Sequence, residues 1–161
     1  MNIENIKEVI KSSKVISFDL FDTLFYRPYL HPNDLFSHLG IIHKKPLFKS
    51  QRIMAEKNAR LKSSDEEITY DDIYKFIQDD FIDMKAEELK LEFNTIMVNE
   101  KIVSLFNYAK SLNKKIIFTS DMYLPAIFIQ KLLSKFCIDG YDSLFISSEK
   151  KVTKHKGSLF K

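Results

Sequence analysis

Apolar residues recur along the chain in two rhythms. Ile3, Ile6, Val9 and Ile10 return at helical spacing with Lys and Glu between them, which predicts a short amphipathic helix over residues 3–12. Val15–Phe18 is a compact β-branched and aromatic run without polar alternation, the pattern of a buried parallel strand, and it ends at Asp19. Pro28 and Pro32 then break the chain, and His31-Pro32-Asn33-Asp34 has the look of a helix start. From residue 33 to about 112 the pattern is helical. Thr69 is placed to cap a helix through Ile73, Tyr74, Phe76 and Ile77, with Asp71 and Asp72 in its favourable first turn. Leu89, Phe93, Ile96 and Met97 suggest one long helix, and Ile102, Val103, Phe106 and Ala109 another.

Two more apolar runs follow, Ile116–Thr119 ending at Ser120-Asp121, and Leu144–Ile146 ending at Ser147-Ser148. Between them Pro125 suits the first turn of a helix through Ile129, Leu132 and Leu133, and Asp139-Gly140 makes a turn. Strand, long helical insertion, strand, helix, strand predicts an α/β fold with a parallel sheet, whose chemistry gathers at the carboxyl ends of the strands. Asp19, Ser120 and Ser147–Glu149 stand at those ends.

Composition narrows the picture. A chain of 161 residues, 45% hydrophobic and 29% charged, is long enough for one sizeable core. A net charge of +3, with lysines scattered rather than clustered, argues against nucleic acid as a partner. The single cysteine, Cys137, excludes a disulfide within the chain and is expected in the core beside Leu132, Leu133 and Phe136. No apolar run reaches membrane-spanning length, and Glu4 and Glu8 interrupt the N-terminal pattern, so a cytoplasmic location without a membrane partner is expected.

Asp19 holds the most chemistry. A carboxylate directly after a sheet strand is held firmly; it can attack an electrophile or bind a hard cation through oxygen. Phe18-Asp19-Leu20-Phe21-Asp22-Thr23-Leu24, Phe118-Thr119-Ser120-Asp121-Met122-Tyr123-Leu124, and Ser147-Ser148-Glu149 followed by Lys154 resemble, in order, the first three motifs of the haloacid-dehalogenase-like (HAD-like) superfamily. The similarity is strongest to predicted HAD hydrolases found with glycosyltransferases for surface polysaccharides, and it extends to Arg27, Ala55, Arg60, Glu67, Ile73 and Tyr74.

The resemblance implies a Rossmann-like core from residues 1–32 and 106–161, incomplete at the C-terminal side, and a helical cap from residues 33–105. It implies hydrolysis of a phosphate monoester, sugar-linked in this subgroup, through an aspartyl intermediate. Asp19 would be the nucleophile and a Mg²⁺ ligand, with the backbone carbonyl of Phe21 as a second ligand. Ser120 would bond a phosphoryl oxygen, and Lys154 would neutralise Asp19 and the transferring group. Arg27, Thr23 and Asp121 are the expected substrate-binding residues, and Arg60 is a further candidate oxyanion clamp. A glycosyltransferase is the expected protein partner.

Two departures modify the expectation. Phosphatases of the superfamily carry a second Asp as general acid two residues after the nucleophile, where this chain has Phe21; Asp22 lies one residue further on. The acidic fourth motif does not occur among the 161 residues. The chain therefore reads as a truncated product or fragment of the lineage, with β-strand Val15–Phe18 at an open sheet edge, weak Mg²⁺ binding and little or no phosphatase turnover. A non-catalytic binding module and a metal-independent dehalogenase-type hydrolase are the alternatives.

Overall fold

The computed structural model describes residues 3–160. In chain order the elements are α1 (Ile3–Ser12), β1 (Val15–Phe18), β2 (Phe25–Tyr26), α2 (Asp34–Ile42), α3 (Phe48–Lys62), α4 (Tyr70–Tyr74), a 3₁₀ turn at Asp79–Phe81, and α5 (Met84–Thr95). Then come β3 (Met97–Val98), α6 (Glu100–Ser111), β4 (Lys115–Ser120), α7 (Ala126–Lys135), β5 (Ser143–Ile146), α8 (Ser147–Lys150) and a 3₁₀ turn at Ser158–Phe160.

The three apolar runs form one parallel sheet in the order β1-β4-β5. The register is flush: Val15 pairs with Lys115 and Phe18 with Phe118, while Ile117 pairs with Ser143 and Ser120 with Ile146. The hydroxyls of Ser17 and Thr119 bond across the first pair at 3.1 Å. Helix α6 presents Phe106 to this sheet, stacked on Phe118 with ring centroids 5.7 Å apart and edge-on to Phe18 at 6.0 Å. The chain is thus an α/β protein, and the residues that follow β1 and β4 emerge side by side. β1 is the edge of the sheet, which leaves Val15 47% exposed instead of buried.

The region between β1 and β4 is mainly helical, with one addition. The long helix expected through Met97 stops at Thr95, and Met97–Val98 pairs antiparallel with Phe25–Tyr26. This two-stranded ribbon closes the base of the insertion: the chain leaves through β2 and returns through β3, and Asn99 then caps α6. α6 runs across position 105 without a break. Thr69 caps α4 in a full capping box with Asp72, but α4 ends at Tyr74, before Phe76 and Ile77.

The insertion is built around a guanidinium. Arg52 of α3 is wholly buried, and Glu88 of α5 is 2% exposed. Arg52 Nε and Nη2 meet the two oxygens of Glu88 at 2.9 and 3.0 Å, and Tyr74 donates to Glu88 at 2.7 Å. Four rings surround the cation: Phe36 at 4.7 Å, Tyr123 at 5.1 Å, Tyr74 at 5.8 Å and Tyr70 at 6.0 Å. Burial opposes the charge on Arg52, but the Glu88 carboxylate outweighs it and holds the guanidinium pKa above its ordinary value. Tyr123 belongs to the segment after β4, so this cluster ties the insertion to the sheet.

Cys137 is exposed rather than in the core. It is the left-handed residue (φ 55°) that ends α7, and Ile138 N–H then bonds back to Leu133 at 2.9 Å. α2 and α6 end in the same way at Lys44 (φ 55°) and Asn113 (φ 52°). In this motif the left-handed residue points away from the helix it terminates, and the apolar residue after it turns inward; Ile138 is 3% exposed.

Arg52→Met alone should lower stability by roughly 3–5 kcal/mol, because it strands a buried carboxylate; pairing it with Glu88→Leu should restore most of the loss. Urea unfolding of the two variants checks this. Hydrogen bonds from Lys75 and Thr69 pull the Asp72 carboxyl down to about 2. Its folded pKa lies below the unfolded value of about 3.9, so its contribution is present above pH 4 and fades as the pH falls toward 2. The stability gap between wild type and Asp72→Asn, measured by urea unfolding from pH 6 to pH 2, should close over that interval.

Candidate active site

Strand β1 ends at Phe18, and the chain turns sharply. Asp22 takes a left-handed conformation (φ 59°), and Phe25 N–H reaches back to the carbonyl of Leu20 at 2.8 Å. The turn is anchored by Leu20, Leu24 and Phe25, all wholly buried. This fixes Asp19 at the sheet end and sends Phe21 and Asp22 to the rim of a cleft of about 460 Å³. The opposite wall comes from the end of β4 and the segment after it, with Ser120, Asp121, Met122 and Tyr123, and from Lys154. The insertion contributes Asn33 and Glu56, and Arg27 and Pro32 complete the lining.

Asp19, Ser120 and Lys154, separated by 135 residues between first and last, line this one cleft. Lys154 Nζ donates to Asp19 Oδ1 at 2.7 Å and to the carbonyl of Thr119 at 3.3 Å. Thr23 donates to Asp19 Oδ2 at 3.3 Å. Each carboxylate oxygen therefore has one partner and keeps a lone pair for an incoming group. The pair is partly open to solvent, with side-chain exposures of 25% for Lys154 and 39% for Asp19. Ser120 is 1% exposed and is held by the β4–β5 ladder.

Three residues expected on substrate are engaged within the protein. The Thr23 hydroxyl serves Asp19. Both oxygens of Asp121 accept main-chain N–H groups, from Lys154 at 2.7 Å and His155 at 3.2 Å. Asp121 thus fixes the start of the turn that delivers Lys154. Arg27 lines the cleft, but its Nε and Nη2 meet Glu92 Oε1 at 2.7 and 2.6 Å, and its guanidinium lies 4.7 Å from the Phe21 ring centre. Burial opposes its charge and Glu92 more than offsets this, so the Arg27 pKa is raised. Arg60 bonds Glu56 and Glu67 and lines a neighbouring groove of about 430 Å³ that shares Asn33 and Glu56 with the cleft.

Ser147 and Glu149, at the end of β5, are structural. Ser147 accepts from Met122 N–H at 2.8 Å and donates to Glu67 at 3.3 Å, and Glu149 accepts from Ala126 N–H at the start of α7. Met122 and Tyr123 reach the cleft as part of the motif string after β4, whereas Asn33 and Glu56 are not expected there, because only the folding of the insertion onto the sheet brings them in. The acidic donors at the cleft are Asp19, Asp22, Asp121 and Glu56. Among the described residues no group of three or more His, Cys, Asp or Glu side chains is arranged to hold a metal ion.

No protein-family model matches the chain, and no curated protein matches it.

Arg27 and Glu92 are 10% and 5% exposed, so the pair is a buried one. Arg27→Met should cost about 3 kcal/mol or more by stranding Glu92, and adding Glu92→Gln should recover a large part. Denaturant unfolding of the single and double variants measures it; an Arg27→Met protein as stable as wild type would show that the pair holds nothing in place.

Proposed function

We propose that the cleft is the phosphoryl-transfer site of a HAD-like hydrolase that uses Asp19 as a nucleophile toward a phosphate monoester, sugar-linked in the expected substrate. The observation that carries this reading is the Lys154 Nζ–Asp19 Oδ1 contact at 2.7 Å, placed beside buried Ser120 at the carboxyl ends of two parallel strands. Nucleophile, cation and hydroxyl donor are the three parts that an aspartyl-phosphate intermediate needs within reach of one phosphoryl group.

In this mechanism Asp19 attacks phosphorus in line with the leaving oxygen, and an acyl phosphate forms as the P–O bond to the alcohol breaks. Ser120 donates to a phosphoryl oxygen, and Lys154 balances charge on both the carboxylate and the transferring group. Water then cleaves the acyl phosphate and returns Asp19 and inorganic phosphate. The weak step is the first. Phe21 cannot protonate the leaving alkoxide, and Asp22 is held one residue away on a left-handed turn. Loss of a general acid slows such a step by roughly 10²–10⁴-fold.

Mg²⁺ is commonly held by one or two carboxylates together with phosphate oxygens and water. Asp19, Phe21 and Asp22 share the cleft rim, a sparse donor set that suits a hydrated ion whose binding depends on the substrate phosphate. Asp19 and the Phe21 carbonyl would hold it, and its contribution would be charge balance on the phosphoryl oxygens.

The reading predicts a leaving-group signature. Aryl phosphates, whose phenolate departs without a proton, should be hydrolysed slowly, with stimulation by Mg²⁺, and alkyl phosphates slower still by roughly 10²–10⁴-fold. Asp19→Asn should remove the aryl activity and Lys154→Ala should reduce it by about 10²-fold or more. Turnover unaffected by Asp19→Asn would end the proposal, as would absence of turnover combined with no thermal stabilisation by phosphate or beryllofluoride. The aromatic side chain of Phe21 at the cleft also favours a metal-independent dehalogenase-type reading; release of halide from a 2-halo acid without Mg²⁺ distinguishes it.

A further inference from the structure

Lys154 sits in a turn that two carboxylates hold from opposite sides. Asp121, from the sheet, takes the N–H groups of Lys154 and His155. The second carboxylate is Glu66, in the loop between α3 and α4, 88 positions before Lys154 in the chain. Glu66 Oε2 accepts from Thr153 N–H at 3.0 Å and from the Thr153 hydroxyl at 3.3 Å, and Oε1 accepts from Ser158 at 2.9 Å. Glu66 N–H in turn donates to the carbonyl of Lys151 at 3.2 Å, and the neighbouring Asp65 pairs with Lys151 at 2.8 Å. The Thr153 N–H, with support from Ser158, draws the Glu66 carboxyl below its usual range, which marks it as an ionised acceptor.

These contacts bracket the residue whose ammonium group meets Asp19. Within itself the turn is held by Gly157 N–H to the Lys154 carbonyl at 2.8 Å and Leu159 N–H to the Thr153 carbonyl at 3.1 Å, but it is a run of polar residues with Gly157 in a left-handed conformation, and its regular structure is limited to α8 before it and one 3₁₀ turn after it. A lysine side chain carries several rotatable bonds, so a salt bridge to Asp19 is maintained only if the backbone at 153–154 stays in place. The sheet supplies one support, through Asp121. The other comes from the insertion.

We propose that Glu66 is a positioning residue for Lys154, through which the helical insertion sets the reach of the cation to Asp19. The effect on turnover rests on the phosphoryl-transfer reading above; the positioning itself does not. Glu66 touches no cleft atom. It acts by holding the Thr153 amide, and any movement of the α3–α4 loop relative to the sheet is transmitted to the Lys154 backbone.

Two measurements on the full chain separate the parts. Amine-reactive labelling followed by mass spectrometry reads the accessibility of each lysine. Lys154 and Lys45 are matched for this purpose, with side-chain exposures of 25% and 26%, and Lys45 is paired with Asp83 far along the insertion. In Glu66→Ala, Lys154 should label about threefold faster or more while Lys45 is unchanged, and Glu66→Gln, which keeps an acceptor for Thr153 N–H, should stay near wild type. Equal labelling of Lys154 in wild type and Glu66→Ala overturns the proposal, and so does a parallel rise at Lys45, which would mean general loosening. Aryl phosphate turnover is the second readout: kcat should fall by about tenfold in Glu66→Ala at unchanged KM, with Glu66→Gln within about twofold of wild type. A raised KM at constant kcat would place Glu66 in substrate binding and overturn the positioning role. If labelling responds as expected but wild type shows neither turnover nor thermal stabilisation by phosphate or beryllofluoride, the phosphoryl-transfer reading fails and the positioning of Lys154 stands.

Discussion

A guanidinium that never meets water decides how the rest of this chain must fold. Arg52 cannot be buried alone, since an unpaired charge in a protein interior costs several kcal/mol even after relaxation. Glu88 and Glu56 supply the counter-charge and four aromatic faces supply a polarisable wall, and these partners come from α2, α3, α4, α5 and the segment after β4. Every one of those elements has to arrive before the charge is satisfied. The insertion is therefore fused to the sheet side of the molecule, with Tyr70 N–H bonded to the carbonyl of Tyr123 at 2.8 Å and Glu67 bonded to Ser147. Nothing in this arrangement resembles a loosely hinged lid.

The same fusion explains why a partly exposed Asp19–Lys154 pair is well placed. An isolated surface ion pair of this exposure gains little and holds little. Here the two side chains are set by their backbones. Asp19 follows a strand locked flush against β4, and its next turn is pinned by three wholly buried apolar residues. Lys154 rides on a turn whose amides are all but fixed by carboxylates. The cation is thus presented to Asp19 by geometry that is maintained elsewhere.

Much of this was legible in the sequence. Short apolar runs ending in polar residues mark β1, β4 and β5, since only a parallel sheet gathers such ends on one side, and the cap at Thr69 needs no tertiary information. The missed features share a cause. Met97–Val98 continued a helical apolar pattern, and two residues pairing with Phe25–Tyr26 leave no periodicity to detect. Cys137 looked like a core residue because its neighbours are; its exposure follows from a left-handed helix end, which the local composition does not encode. Thr23, Asp121 and Arg27 were placed near the chemistry by motif or spacing, yet their partners Asp19, the Lys154 amide and Glu92 lie up to 65 positions away. Sequence spacing identifies a group that can make a polar contact to substrate and is silent on whether the protein already fills it.

Phe21 brings the two levels together. Under the proposed phosphoryl transfer, it is a gap where a proton donor belongs. In the fold it is the floor on which the Arg27 guanidinium lies at 4.7 Å, and Arg27 in turn neutralises Glu92, a carboxylate only 5% exposed. The ring also packs edge-on to Phe25 at 6.3 Å, inside the turn that fixes Asp19. An acid at position 21 would remove that stacking surface and add a negative charge beside a guanidinium already committed to Glu92. Arg27 would then be shared between two carboxylates, and the proton an acid needs to donate would be held off by the cation next to it, because a neighbouring positive charge favours the ionised form. Phe21, Arg27 and Glu92 are consequently one unit, and under the proposed reaction the lack of an acid at position 21 is built into how the insertion is joined to the sheet.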